Sequence, residues 1–383
     1  MSEESKRGVK SPRVAHIVAT LEGRIRTGVY PGGRWLPTER ELREEFDVSR
    51  GTVRQALVEL ERSSLVIRSA GCRPFIREVV ERPAPRDDAA NRKEAARRTI
   101  GLCVKHDLKY SGTYLVTQGV REGVNSDSFR LHIGGANAVT LNRVAEEEAQ
   151  TLLRMVRDDD ISGIVLWYCG GDANLPILRT IQQAHIPLVF VDRAPPTGIE
   201  ADYVSIDNQH AACEAVRFLI RRQHKRIAHI TNPEPVSTVY ERLAGYEAAL
   251  EKAGIPLDPA LILTGRIEGM AEEGLNANEI VDRLLGLSDP PTAIFAVTDY
   301  IALAIVRALQ ERGKRVPEDM AIIGFDDLEH WLPHRPFLTT VHQPFERIGF
   351  EAARLLIKRL ESDPTHHSRH VMLEAPLIVR QSA

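Results

Sequence analysis

From Thr99 onward the chain alternates short apolar runs with longer amphipathic stretches, and that rhythm restricts it to parallel strands covered by helices on both faces. The runs IGLCV, RLHIGG, GIVLWY, PLVFVD, YVSID, RIAHIT, LILTG, AIFAV and AIIGF have the length and side-chain character of strands. Between them stand helix candidates at 142–157, 174–184, 209–223, 240–253, 276–286, 299–312 and 344–361. Strands without polar alternation are buried on both faces, the habit of parallel sheets joined by crossover helices. The runs are too many for one small sheet, so two α/β lobes are expected.

The N-terminal part obeys a different pattern. Residues 31–60, PGGRWLPTERELREEFDVSRGTVRQALVEL, read as two short helices joined by a tight turn. Thr38 followed by Glu41 is a capping box, and Leu42 and Phe46 give the first helix one apolar face. Asp47-Val48 forms the turn and Ser49 caps the second helix, whose buried stripe is Val53, Leu57 and Leu60. At about 100° per residue, Gly51, Thr52, Arg54 and Gln55 point away from that stripe, with Arg50 on the flank. Such a face suits the DNA major groove: Arg reaches guanine edges and phosphates, Gln pairs with adenine, and Gly lets backbones approach. A preceding helix shows a stripe of Val14, Ile17, Val18, Leu21 and Ile25.

Charge separates the same two regions. Residues 1–80 carry 15 Lys+Arg against 11 Asp+Glu, and the remainder carries 35 against 42. A basic module on an acidic body places any nucleic-acid footprint at the N-terminus. The stretch 78–98, EVVERPAPRDDAANRKEAARR, lacks a sustained apolar face and reads as a linker. No run of about eighteen apolar residues and no apolar signal core is present, so a cytoplasmic protein with no membrane partner is expected. The cysteines 72, 103, 169 and 213 lie far apart without metal-ligand spacing, and the histidines at 330, 334, 342, 366 and 367 lack ligand geometry. No metal site is expected, and the absence of GxGxxG, Walker, GxSxG and HExxH patterns gives no reason to expect a cofactor.

The motif LPTEREL…VSRGTVRQAL…L resembles the winged helix-turn-helix of GntR-family transcription regulators. The resemblance implies DNA contacts at Arg40, Ser49, Arg50, Gly51, Thr52 and Arg54, beside Gln55 from the helix reading. It also implies a wing with strands Val66-Ile67-Arg68 and Pro74-Phe75-Ile76 and a tip at Gly71, where Cys72-Arg73-Pro74 departs from the usual Thr-Phe-Val ending. Pro74 has no N–H to give the ladder and fits only at an edge.

The pieces GIVLW, PLVFVDR, VSIDN, ERLAGYEAALEKAGI, PPTAIFAVTDYIALAIVRALQERGKRVPEDMAIIGFDD and LTTVHQP resemble, in order, the effector domain of LacI-family repressors, a relative of periplasmic sugar-binding proteins. The layout as a whole is similar to that of arabinose-responsive repressors. The implied organisation is a winged head at 1–77, the linker, and an effector domain at 99–383. One lobe comprises about 99–207 and 343–361, the other about 208–341 and 371–380. Ligand is expected in the cleft at the carboxyl ends of the strands. The resemblance implies effector contacts at Asp192, Arg193, Arg242 and Asp326. Tyr110, Ser111, Trp167, Thr298 and Gln343 lie in the same implied cleft region. Thr298 replaces the family's usual Asn, and Asp299 reads as the cap of the helix that follows.

A sensor of this kind predicts operator DNA, a sugar-like effector and a second copy of the chain as partners. The chain reads as a repressor of carbohydrate-utilisation genes rather than an enzyme. An activator with a non-sugar effector, and a carbohydrate-active enzyme, are the alternatives that residue patterns leave open.

Overall fold

The computed structural model describes residues 12–26, 29–30, 36–63, 65–67, 74–76, 98–105, 111–124, 128–136, 141–157, 161–234, 236–265, 274–328, 336–361 and 367–383. The chain divides into two compact units, Met1–Arg92 and Lys93–Ala383.

In the first unit, helices α1 (Pro12–Arg26), α2 (Glu39–Phe46) and α3 (Arg50–Arg62) precede strands β1 (Val66–Ile67) and β2 (Phe75–Ile76). The local chemistry accounts for each boundary. Thr38 Oγ1 accepts from the Glu41 amide at 3.2 Å, and Glu41 Oε2 accepts from the Thr38 amide at 2.7 Å. Asp47 ends α2 in the left-handed region, φ 47°, and donates its N–H to the Arg43 carbonyl. Ser49 Oγ then accepts from the Thr52 amide at 3.2 Å and opens α3. Val14, Ile17, Leu21 and Ile25 of α1 share one buried core with Leu42, Val53, Leu57 and Leu60. The wing pairs antiparallel, Val66 with Ile76 and Ile67 with Phe75. Pro74 stands one residue before β2, and its carbonyl accepts from the Leu36 amide at 2.8 Å, so its missing N–H costs the ladder nothing. The expected third wing residue Arg68 and the tip Gly71 lie outside the described residues.

The second unit is α/β throughout. In chain order it runs β3 (Arg98–Cys103), α4 (Ser111–Gly123), β4 (Phe129–Gly134), α5 (Leu141–Arg157), β5 (Ile161–Leu166), α6 (Leu175–Gln183), β6 (Leu188–Val191) and β7 (Asp202–Ile206). Then follow α7 (Asn208–Arg221), β8 (Ile227–Thr231), α8 (Ser237–Lys252), β9 (Ile262–Thr264), α9 (Ala277–Leu285), β10 (Ala293–Ala296), α10 (Asp299–Glu311) and β11 (Ala321–Asp326). The last elements are β12 (Thr339–His342), α11 (Phe345–Glu361), β13 (His370–Leu373) and β14 (Leu377–Ile378). Two six-stranded sheets result, ordered β13-β7-β6-β5-β3-β4 and β14-β12-β11-β10-β8-β9. The first is parallel throughout, and in the second β14 alone runs antiparallel to its neighbour. The chain passes between lobes after Ile206, after His342 and after Leu373.

Three expectations change. The segment 371–380 does not belong wholly to the second lobe, because β13 pairs in register with β7 of the first and only β14 joins β12. Asp202 causes this: its carboxylate accepts from the Arg369 amide at 2.8 Å and from Arg359 Nε at 2.6 Å, docking the returning strand on β7. Arg98, placed at the end of the linker by sequence, opens β3; the linker up to residue 97 lies outside the described residues. Helix α4 is absent from the helix candidates of the sequence. Gly112, Gly119 and Gly123 lower its propensity, and Gly119 is spent on packing. A Cβ there would lie 1.8 Å from the Glu346 carbonyl oxygen, and one on Gly349 would lie 2.1 Å from that of Val116, so α4 and α11 approach backbone to backbone.

Candidate functional site

The solvent face of α3 carries Arg50, Gly51, Arg54 and Gln55, all exposed, with Thr52 half-buried beside them. Arg40 projects from α2 with 74% of its side chain exposed. Glu39, the first residue of α2, reaches across to both α3 arginines. Its carboxylate accepts from Arg50 Nε at 2.9 Å and from Arg54 Nε at 3.1 Å, and the Arg50 bond is the main cause that holds its pKa below the ordinary value. This bridge fixes the two guanidinium groups against the helix pair while leaving them more than half exposed to a polyanion. Sequence reading missed Glu39, although its place one residue after the cap could have signalled it.

In the second unit the strand ends of both lobes face one pocket, lined by Trp167, Asp192, Arg193, Asn232, Glu234, Thr238, Arg242, Val297, Thr298, Asp326 and Phe345 among others. Trp167 follows β5, Asp192 and Arg193 follow β6, Thr298 follows β10, and Asp326 ends β11. These are carboxyl ends of parallel strands, where backbone N–H groups and side chains open onto a crevice. Asp192 turns its side chain there by adopting φ 65°. Its carbonyl accepts from Tyr203 Oη and Ser205 Oγ, both at 2.8 Å, and its N–H bonds the Val204 carbonyl, which holds the strained turn. Asp326 likewise has φ 108°. Trp167 and Phe345 lie with ring centroids 5.7 Å apart and form an apolar wall.

Charges alternate around this pocket. Arg242, from α8, is buried over the Phe325 ring at 3.7 Å and donates to Asn208 Oδ1, the Val297 carbonyl and Gln343 Oε1 at 2.7–3.0 Å. Its Nη1 also lies 3.1 Å from Asp326 Oδ1. That contact is an ion pair and not an aligned hydrogen bond, so Oδ1 keeps capacity to accept. Gln343 Nε2 donates to Asp192 Oδ1, so one glutamine at the lobe crossover joins the carboxylate of the first lobe to the arginine of the second. Arg193 Nη1 donates to the Tyr168 carbonyl at 3.1 Å, and Nη2 to Glu234 Oε2 across the cleft at 2.8 Å.

The structure thus brings together Trp167, Asp192, Arg193, Arg242, Thr298, Asp326 and Gln343. Tyr110 lies outside the described residues, and Ser111 is described only as the backbone start of α4. Asn232, Glu234 and Thr238 were not anticipated. Asp299 is not the cap of α10: Thr298 is, accepting from the Ile301 amide. Asp299 is instead fully buried, with Oδ2 accepting from the Leu328 amide at 2.7 Å and Oδ1 from Thr340 Oγ1 at 2.6 Å, and so clamps the turn that carries Asp326. Asp207 caps α7 through the His210 amide.

Behind the pocket, Glu148 of α5 is buried and accepts from the Cys169 amide at 2.6 Å and Asn174 Nδ2 at 2.8 Å. It anchors the loop whose Tyr168 carbonyl seats Arg193. Burial raises Glu148 from 4.5 to about 7 and Asp326 from 3.8 to about 7. The native state therefore keeps protons that the unfolded chain releases at lower pH, so as far as these groups act its stability is greatest below pH 3.8 and is lost as pH rises from there through about 7. Urea midpoints of the second unit should decline across that window, and Glu148→Gln should flatten the decline. An equal slope in the variant would remove Glu148 from the linkage.

The profile of the gntR family of bacterial regulatory proteins matches residues 13–76, and that of the periplasmic binding protein-like domain matches residues 216–383. The chain is 30% identical over 347 residues to the HTH-type transcriptional repressor CytR of Escherichia coli strain K12, covering 90% of this chain and 96% of that one. It belongs to the LacI-type transcriptional regulators. This regulator differs from the bare family label in carrying a gntR-type reading head. It is also 27% identical over 351 residues to the arabinose metabolism transcriptional repressor of Geobacillus stearothermophilus, 91% of each chain. Among solved structures it resembles the transcriptional regulator CelR in complex with cellobiose, at TM-score 0.63 and 26% identity over 97% of this chain and all of that one. These relatives are regulators of transcription, not enzymes. Among the described residues no helix is long and apolar enough to cross a membrane.

Proposed function

We propose that this regulator is a repressor of carbohydrate-utilisation genes, acting in the cytoplasm as a homodimer whose two heads read the half-sites of a pseudo-palindromic operator. A small sugar bound between the lobes weakens operator binding. One observation carries the reading: a carboxylate–arginine pair from each lobe, Asp192 with Arg193 and Asp326 with Arg242, meets beside the Trp167–Phe345 wall in one buried pocket. Ionised donors and acceptors bond hydroxyls about twice as strongly as neutral ones, and an aromatic wall packs the apolar face of a sugar ring. The arabinose repressor and the cellobiose-bound regulator among the relatives support a carbohydrate ligand.

By linkage, the sugar shifts operator affinity only as far as it prefers one lobe arrangement over the other. Thermal-shift measurements against a panel of sugars test the ligand class, since saturation at 100 times the dissociation constant adds about 2.7 kcal/mol of stability. Fluorescence anisotropy with operator DNA then tests release by any sugar that binds. Asp326→Ala should bind operator as the parent does and fail to release it. A normal release by that variant would place the ligand contacts elsewhere.

A further inference from the structure

The cleft holds its two arginines in different ways. Arg242 is enclosed by second-lobe groups and Gln343. Arg193 belongs to the first lobe, yet its Nη2 is bonded to Glu234, which follows β8 of the second. Glu234 is itself placed: its amide donates to Asn232 Oδ1 at 3.0 Å, and Ser237 Oγ three residues on receives the Ala194 amide at 2.8 Å from the first lobe. The pocket lining therefore contains Asp192, Glu234 and Asp326 against Arg193 and Arg242. With each guanidinium already facing a carboxylate, an incoming anion meets no unmatched positive charge in the lining. It gains an arginine only by displacing a carboxylate from it. A hydroxyl pays no such cost, because it donates to the carboxylates and accepts from the guanidinium edges.

Granting that this cleft is the effector site, we propose that Glu234 restricts it to neutral polyhydroxyl ligands by occupying Arg193 across the cleft. Sugar acids and sugar phosphates are rejected, although two arginines line the pocket. Replacing the carboxylate by its neutral amide removes the negative charge that faces Arg193 Nη2 and leaves the pocket shape nearly unchanged.

Inorganic phosphate is a probe that does not depend on which sugar binds. Followed by thermal shift and by calorimetry, Glu234→Gln should gain saturable phosphate binding at least about tenfold tighter than the parent, the usual scale of one charge-assisted bond, and added salt should weaken it. Glu234→Ala should gain it too, and Arg193→Gln combined with Glu234→Gln should lose it. D-galacturonate measured against D-galactose provides the organic arm: the acid-to-neutral affinity ratio should rise at least about tenfold in Glu234→Gln. Arg193-dependent phosphate binding of equal strength in the parent overturns the proposal, and so does a Glu234→Gln variant that gains none. Failure of every neutral sugar to bind the parent would instead count against the carbohydrate reading, while the phosphate arms still decide the role of Glu234.

Discussion

Arg242→Ala should be the most damaging single substitution in the cleft, lowering the stability of the second unit by about 3–5 kcal/mol and removing any response to ligand. The size follows from what the guanidinium holds. Its three nitrogens serve Asn208, the Val297 carbonyl and Gln343, and its charge faces Asp326 at 3.1 Å. Truncation leaves two buried carboxylates, Asp192 and Asp326, without the cation that lowers both, so they must take up protons or water. It also uncovers the face of Phe325, over which the guanidinium lies at 3.7 Å. Arg242→Lys keeps the charge but not the planar fork and should recover only part of the loss. Urea denaturation of the full chain checks this, with the head transition as an internal control. An unchanged midpoint in the second unit would refute the assignment of Arg242 as the hub of the cleft.

How far such a hub is readable from sequence depends on how local its causes are. Asp192, Arg193 and Asp326 stand at the ends of apolar runs, where the strand-end rule looks and where the family resemblance implies contacts. Glu234 and Asn232 also follow a strand, but nothing in RIAHITNPEP singles out a glutamate that meets an arginine 41 residues earlier. That meeting is made where one lobe faces the other, which no local periodicity records. Glu148 sits in a run of three glutamates, and only the packing of α5 shows that this one turns inward to Cys169 and Asn174. Asp299 followed the local rule for caps and lost to tertiary structure: Thr298 took the cap, which freed Asp299 to bind Thr340 and Leu328. Helix α4 was hidden because its glycines weaken helix propensity, and their purpose is visible only once α11 lies against them. The head was legible almost entirely, since caps, turn and stripe are all fixed within a few residues of one another.

That legibility makes the head the place for the second large effect. Arg50→Ala combined with Arg54→Ala should lower operator affinity by about 2–6 kcal/mol, taking about 1–3 kcal/mol for each arginine that reads a base edge. Both side chains project from α3 with more than half their surface free, so truncation removes little packing. Their shared partner Glu39 remains exposed enough to be hydrated, and surface ion pairs of this kind contribute about 0–1 kcal/mol to stability. The double variant should therefore melt close to the parent and bind effector normally while failing on DNA. The salt dependence separates two roles. Each lost phosphate contact reduces the slope of log affinity against log salt by about one, whereas a lost base contact narrows the gap between operator and random DNA at constant slope. Glu39→Gln provides the complementary case, since it keeps both arginines but unties them from α2. If the bridge pre-orients them, this variant should lose discrimination between operator and random DNA while random-sequence binding holds or rises. Equal discrimination in Glu39→Gln would show that DNA alone sets the arginine geometry.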